Sequence, residues 1–160
     1  MSEKQDYKEI LDLFRRGPEI LDEAILGVSA DESKFVPAPG KWNVRQIVRH
    51  VADTEIVAGM RLRQLIAEPN PHMAVFDQDL WANHLGYNEC DAFESAAKFR
   101  MLREDMSWIL DSLPPAAFER TGMHPERGVC TLAEWVARFG IHVETHAGQI
   151  RRAREAWSLR

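Results

Sequence analysis

The stretch TLAEWVARFGIHVETHAGQIRRAREAW, residues 131–157, decides the fold. Its stripe reads Leu132, Trp135, Phe139, His142, His146, Ile150, Ala153 and Trp157. Every step is three or four residues, so all these positions share one face of an α-helix. Thr131 with Glu134 three residues on is a capping-box start. The expected element is a long amphipathic helix from Thr131 to about Trp157, with two histidines on its core face.

Three more long helical patterns flank it. The first covers about Asp6 to Leu26 and is interrupted at Gly17-Pro18, which should kink it or split it in two. The second starts at an Asn43 cap with Gln46 as its partner. It carries Val44, Ile47, Val48, Val51, Ala58, Leu62, Leu65 and Ile66 on its apolar face and ends before Pro69-Asn70-Pro71. The third runs from an Asp91 cap, with Glu94 three residues on, to Leu113, where Pro114-Pro115 stops it. Val36 to Gly40 and Arg120 to Cys130 read as loops, and one short helix is expected around Asp77 to Ala82. No alternating run is long enough for a central strand. The fold class is therefore all-α, a four-helix bundle formed by one domain over residues 1–160. The long connection from Glu68 to Cys90, between the second and third long helices, is unusual for an up-down bundle. Long connections with little regular structure often carry function.

The whole chain fits this picture. Its 160 residues are 45% hydrophobic and 28% charged, with a formal net charge of −5. A domain of about 150 residues buries about 68–70% of its unfolded surface and needs no disulfide staple. The acidic balance, with Lys and Arg scattered, argues against a nucleic-acid footprint. Cys90 and Cys130 match no metal or redox spacing and read as free thiols of a reducing compartment. The charged stretch Met1 to Asp12 lacks the apolar core of a signal peptide, and no segment approaches the roughly 20 apolar residues of a membrane span. The expected location is the cytoplasm.

The histidines carry the chemistry. His142 and His146, four residues apart, stand about 40° apart around the helix and one turn along it. Both point into the bundle. Buried imidazoles need partners for their nitrogens, and Leu and Phe offer none. Two readings follow: a divalent metal binds both, or one histidine is hydrogen-bonded in the core and the other sits at its edge. His50 lies at the edge of the second helix's apolar face, flanked by Ile47, Val51, Thr54 and Val57. Alone it reads as a core-edge histidine; beside the other two it reads as a third ligand. Three histidines leave one coordination position open, the arrangement of a catalytic site rather than a structural one.

Other groups are weaker candidates. Asp53, three residues after His50, could be its partner or a catalytic base, or a carboxylate on the helix surface. Asp77 and Trp81, four apart, could line the mouth of the site, or serve local capping and packing. Glu144 is two residues from each helix-borne histidine, so it faces the opposite side and is rejected as a base. His124, in a loop flanked by Pro125 and Glu126, reads as a surface-loop histidine, with a pocket residue as the alternative; His72 and His84 carry no pattern.

The segment PGKWNVRQIVRHVADTE, residues 39–55, resembles the signature helix of the DinB/YfiT-like family of metal-dependent enzymes. The later pieces agree in order: FDQDLWA at 76–82, HPERG at 124–128, and the His142-x3-His146 pair followed by Ala147-Gly148-Gln149-Ile150. The resemblance covers nearly the whole chain, and the YfiT-like, bacillithiol-transferase-like branch is most similar. It implies a DinB-type four-helix bundle, often a homodimer, with one divalent metal ion per chain on positions matching His50, His142 and His146. Imidazole ligands suit zinc and nickel, with manganese, iron or copper also compatible. The implied activity is transfer of a low-molecular-weight thiol to an electrophile, or a metal-dependent hydrolysis of a small molecule. The alternative is a metal- and ligand-binding or sensor module without turnover. Neither nucleic acid nor membrane is an expected partner.

Overall fold

The computed structural model describes residues 7–160. The expected Asp6 start of the first helix lies outside the described residues. The elements run α1 (Lys8–Arg15), α2 (Gly17–Ile25), α3 (Ala30–Lys34), α4 (Val44–Ala67), α5 (Gln78–His84), α6 (Ala92–Asp111), a 3-10 turn (Pro115–Glu119), β1 (Thr121–His124), β2 (Gly128–Thr131) and α7 (Leu132–Ser158). The bundle is built from α4, α6, α7 and the broken pair α1–α2. Helix α4 packs on α6 and α7, and the α1–α2 pair packs on the same two. Among the described residues no helix is long and apolar enough to cross a membrane.

Local chemistry sets the helix starts. The Asn43 side chain accepts from the Gln46 N–H at 3.0 Å, and Gln46 Oε1 accepts from the Asn43 N–H at 3.0 Å. Thr131 and Glu134 make the same reciprocal pair at the start of α7. Asp91 Oδ1 takes the N–H groups of Phe93 and Glu94 and so opens α6. These donors have no partner within their own helix, and each cap is worth about 1 kcal/mol.

The Gly17-Pro18 interruption splits the first helix in two, and the split has a purpose. Pro18 has no N–H to give the Phe14 carbonyl. Arg103 Nη1, reaching across from α6, donates to that carbonyl at 2.8 Å. A Cβ on Gly17 would stand 2.7 Å from the same Nη1, so glycine makes the room. The Arg103 guanidinium also donates to both oxygens of Glu55 on α4, at 2.8 and 2.7 Å, and to the Phe139 carbonyl on α7 at 3.3 Å. Its face lies 3.8 Å from the Phe14 ring centroid. The pair is 1% and 3% exposed.

Two regions depart from the sequence reading. The expected loop at 120–130 is instead a β-hairpin, with Thr121 opposite Thr131 and His124 opposite Gly128. Four-residue strands are too short to show an alternation, so the pattern carried no signal. The hairpin is tied to the connection: Met123 N–H donates to the Pro71 carbonyl at 2.8 Å, and Met73 N–H to the Met123 carbonyl at 2.9 Å. A Cβ at Gly122 would stand 2.9 Å from the Pro71 oxygen, so this close approach requires glycine. The second departure is α3, a five-residue helix opened by a Ser29–Glu32 capping box.

Glu55→Leu leaves Arg103 charged, buried and unpaired. The expected loss is about 3–5 kcal/mol of unfolding free energy, while Glu55→Leu combined with Arg103→Met loses less. Urea unfolding of both variants measures the difference, and equal losses would contradict it.

Candidate metal centre

The bundle brings His50 on α4 and His142 and His146 on α7 to one point. His142 Nε2 stands 3.1 Å from His50 Nε2 and 3.0 Å from His146 Nε2. Each residue offers one ligand atom, and the three atoms lie within 4.8 Å of one another. Imidazole nitrogens bound to one ion at about 2.0–2.1 Å stand about 3 Å or slightly more apart, so the donor set fits a single ion. Three Nε2 atoms facing each other cannot satisfy one another fully, because each neutral ring has only one N–H.

The protonation chemistry suits ligands. Burial pushes the His50 imidazole down to about 3, with the nearby His146 adding to the shift. Burial also lowers His142 to about 2, assisted by His146, His50 and the Arg103 charge. His146 is lowered by burial, partly offset by Gln149. All three are therefore neutral near pH 7, the form that binds metal. His146 Nδ1 lies 2.8 Å from Gln149 Oε1. A ring N–H donating there fixes the tautomer that presents Nε2 to the ion. Thr54 Oγ1 sits 3.5 Å from His50 Nε2. The Trp42 ring packs 5.1 Å from the His50 ring, and His50 Nδ1 is buried without a hydrogen-bond partner among the described residues.

The long connection covers this point on two sides. Val75, Phe76 and Gln78 help line a cleft of about 340 Å³ that reaches His50 and His142. Gln78 and Asp79 help line a second cleft, of about 540 Å³, beside His146, Gln149 and Trp42. The hairpin brings His124, Glu126 and Arg127 to the first of these, facing Arg61, Trp135 and Arg138.

The carboxylates take other places. Asp53 is 3% exposed and paired with Arg49 at 3.1 Å. Asp77 is exposed and caps α5, where its Oδ1 accepts from the Asp79 and Leu80 N–H groups at 2.9 Å. Neither is among the residues that line the two clefts flanking the triad. Glu144 is exposed. His124, expected on a surface loop, is 4% exposed instead; it packs 5.4 Å from the Trp135 ring, because the hairpin folds it inward. Gln149 and Arg61 were missed as site residues. Both had a local signal: Gln149 stands three residues after His146, and Arg61 interrupts an apolar stripe between Ala58 and Leu65.

The sequence profile of the DinB superfamily matches residues 13–150. The chain belongs to the DinB superfamily. Its DinB relatives include a protein of Oceanobacillus iheyensis, 29% identical over 83% of this chain and 77% of that protein, and one of Bacillus mycoides, 29% identical over 92% and 87%. Both are named "Putative metal-dependent hydrolase". Among solved structures, YfiT from Bacillus subtilis superposes with a TM-score of 0.80, at 22% identity, over 95% of this chain and 89% of that one. YfiT is described as "a probable metal-dependent hydrolase with an unusual four-helix bundle topology". The likeness establishes the DinB-type bundle expected from the sequence.

Two outcomes follow from this geometry. Gln149→Leu, which frees the His146 ring, weakens metal affinity about 10–100-fold with the helical signal kept; a titration with zinc checks it. In the metal-free protein, stability falls as pH drops below the unfolded-state value of 6.5. There the unfolded histidines take up protons that folded His50 and His142 refuse until about 3 and about 2. Each contributes a slope of up to about 1.4 kcal/mol per pH unit, and His142→Leu removes one such contribution from urea unfolding measured with a chelator present.

Proposed function

We propose that this chain is a metal-dependent enzyme acting on a small molecule, with one divalent ion on His50, His142 and His146. The supporting observation is the convergence of three neutral imidazole Nε2 atoms, from buried His50 and His146 and half-buried His142, beside an open cleft. Zinc or nickel heads the candidates, with manganese, iron or copper also compatible with the ligands. An ion there supplies a Lewis acid that lowers the pKa of a bound water toward about 7 and favours a bound thiolate. The reaction we infer is transfer of a low-molecular-weight thiol to an electrophile, or hydrolysis of a related small substrate.

The residues divide the work. Three uncharged ligands leave the ion's positive charge uncompensated, which favours an anionic nucleophile. Gln149 orients His146. Trp42, Phe76 and Trp135 restrict water around the site. His124 Nδ1 accepts the Glu126 N–H at 3.3 Å, so the neutral ring carries its proton on Nε2. That N–H is available to donate a hydrogen bond to substrate in the cleft. We assign no proton transfer to Asp53 or Asp77: Asp53 supports the His50 helix through Arg49, and Asp77 positions α5 at the mouth. The same reading places the enzyme in the cytoplasm, with Cys90 and Cys130 as free thiols. It includes a homodimer, for which Met101 and Trp108 offer exposed apolar surface on α6.

The test combines metal uptake and turnover. The protein is expected to bind about one zinc or nickel ion per chain, and His146→Ala to abolish binding while circular dichroism stays helical. With a reactive electrophile and a panel of cellular thiols, thiol consumption is expected and should cease on adding a chelator. Metal binding without turnover of any thiol, ester or amide would return the site to a binding or sensor module. Absence of metal binding would end the metal reading.

A further inference from the structure

Arg61 on α4 is 5% exposed and lines the 340 Å³ cleft that His50 and His142 also line. Its Nη2 donates to the Ala74 carbonyl at 2.5 Å. Its guanidinium carbon lies 4.8 Å from the Trp135 ring centroid. Its Nε is buried with no hydrogen-bond partner among the described residues. Among the described residues no carboxylate pairs with it within 4.0 Å, nor with Arg127 or Arg138, which line the same cleft. Glu126 is the one acidic residue lining the cleft, set against these three arginines.

A buried cation without a counter-ion is expensive to keep. Arg103, buried to a similar extent, shows how this chain meets that cost when the charge is structural: it takes a bidentate carboxylate from Glu55. Arg61 has no such carboxylate. One ring face and one carbonyl satisfy part of the guanidinium, and exposed Glu126 acts on its charge without forming an ion pair, offset by Arg127. Guanidinium groups match carboxylate and phosphate oxygens closely, and such charge-assisted contacts are strong when desolvated.

We propose that the cleft holds its substrate by an oxyanion, a carboxylate or a phosphate, bound at Arg61 with Arg127 and Arg138 at the rim. The inference rests on the reading that the histidine triad is the reaction centre, because it places the anionic group beside the reacting atoms. The substrate class is then a small molecule carrying an acidic group next to its electrophilic or scissile bond. Arg61 sets specificity and takes no part in the bond changes.

Calorimetric titration of the full chain with succinate, with inorganic phosphate and with neutral succinamide tests this, before and after metal removal. Succinate or phosphate should bind in both forms, and succinamide about tenfold or more weakly. Whichever anion binds more tightly identifies the group. Arg61→Gln should weaken anion binding about tenfold or more, and the exposed change Arg138→Gln should weaken it by a smaller factor, with metal uptake unchanged in both. Should Arg61→Gln fail to fold, Arg138→Gln alone decides. Equal affinity for succinate and succinamide, or no binding of either anion, would overturn the proposal. So would anion binding that disappears with the metal and survives both substitutions, which would place the anion on the ion itself. Anion binding in a protein that takes up no metal would uphold the arginine subsite and overturn the metal reading.

Discussion

The carbonyl of Phe14 faces Pro18, which has no amide hydrogen to offer, and the first helix breaks there. Arg103 takes that carbonyl, both oxygens of Glu55 and the carbonyl of Phe139, so one side chain of α6 holds α1, α4 and α7. Glu55 follows His50 by five residues on α4, and Phe139 precedes His142 by three on α7. The guanidinium therefore fixes the spacing of the two helices that carry the histidines, within two turns of them. A metal site needs its ligands held to within about 0.5 Å, and loosely packed apolar helices can slide by more than that. A planar, bidentate ion pair cannot slide without breaking hydrogen bonds in a dry interior, where each is costly to lose.

Around the triad the protein uses burial where it could have used charge. Among the described residues no carboxylate is held against the three rings; the partners are Gln149, Thr54 and the Trp42 ring. Burial keeps the imidazoles deprotonated, and the lack of a carboxylate would leave an ion's positive charge available to whatever fills the remaining position. An aspartate as the outer partner would make a histidine more basic and damp that charge. The choice of an amide at position 149 is thus consistent with a site that attracts an anionic nucleophile.

Much of this was legible in the chain because it is encoded locally. The caps at Asn43, Asp91 and Thr131 need only neighbours within three residues, and each helix begins where its cap predicts. The convergence of His142 and His146 is a matter of helical spacing alone. His50 drew its weight from those two and from the resemblance, since nothing near it in sequence says which helix it faces. What stayed hidden depends on distant partners. The hairpin at 121–131 is stabilised by the Pro71–Met73 backbone, some fifty residues earlier, and His124 is buried only because that pairing turns it inward. Arg61 and Glu55 stand as polar interruptions in the apolar stripe of the second helix, but neither was read as a partner or a site residue, nor was Arg103. The sequence could not say that Glu55 and Arg103 would meet and that Arg61 would be left over.

That remainder is informative. The buried acids of the described chain all have a cation: Glu32 has Arg154 at 2.8 Å, Asp53 has Arg49 at 3.1 Å, and Glu55 has Arg103 at 2.7 Å. Arg61 is the buried arginine left without an acid. The three clustered imidazoles are satisfied only in part: their Nε2 atoms face one another, and His50 Nδ1 has no partner among the described residues. A fold selected for stability alone would pair or remove such groups, because each lowers a net stability of only about 5–15 kcal/mol. Here Arg61 borders the same cleft as His50 and His142, beneath the connection and the hairpin. Their placement together is explained if what satisfies them comes from outside the chain: an ion at the histidines and an acidic group at the arginine.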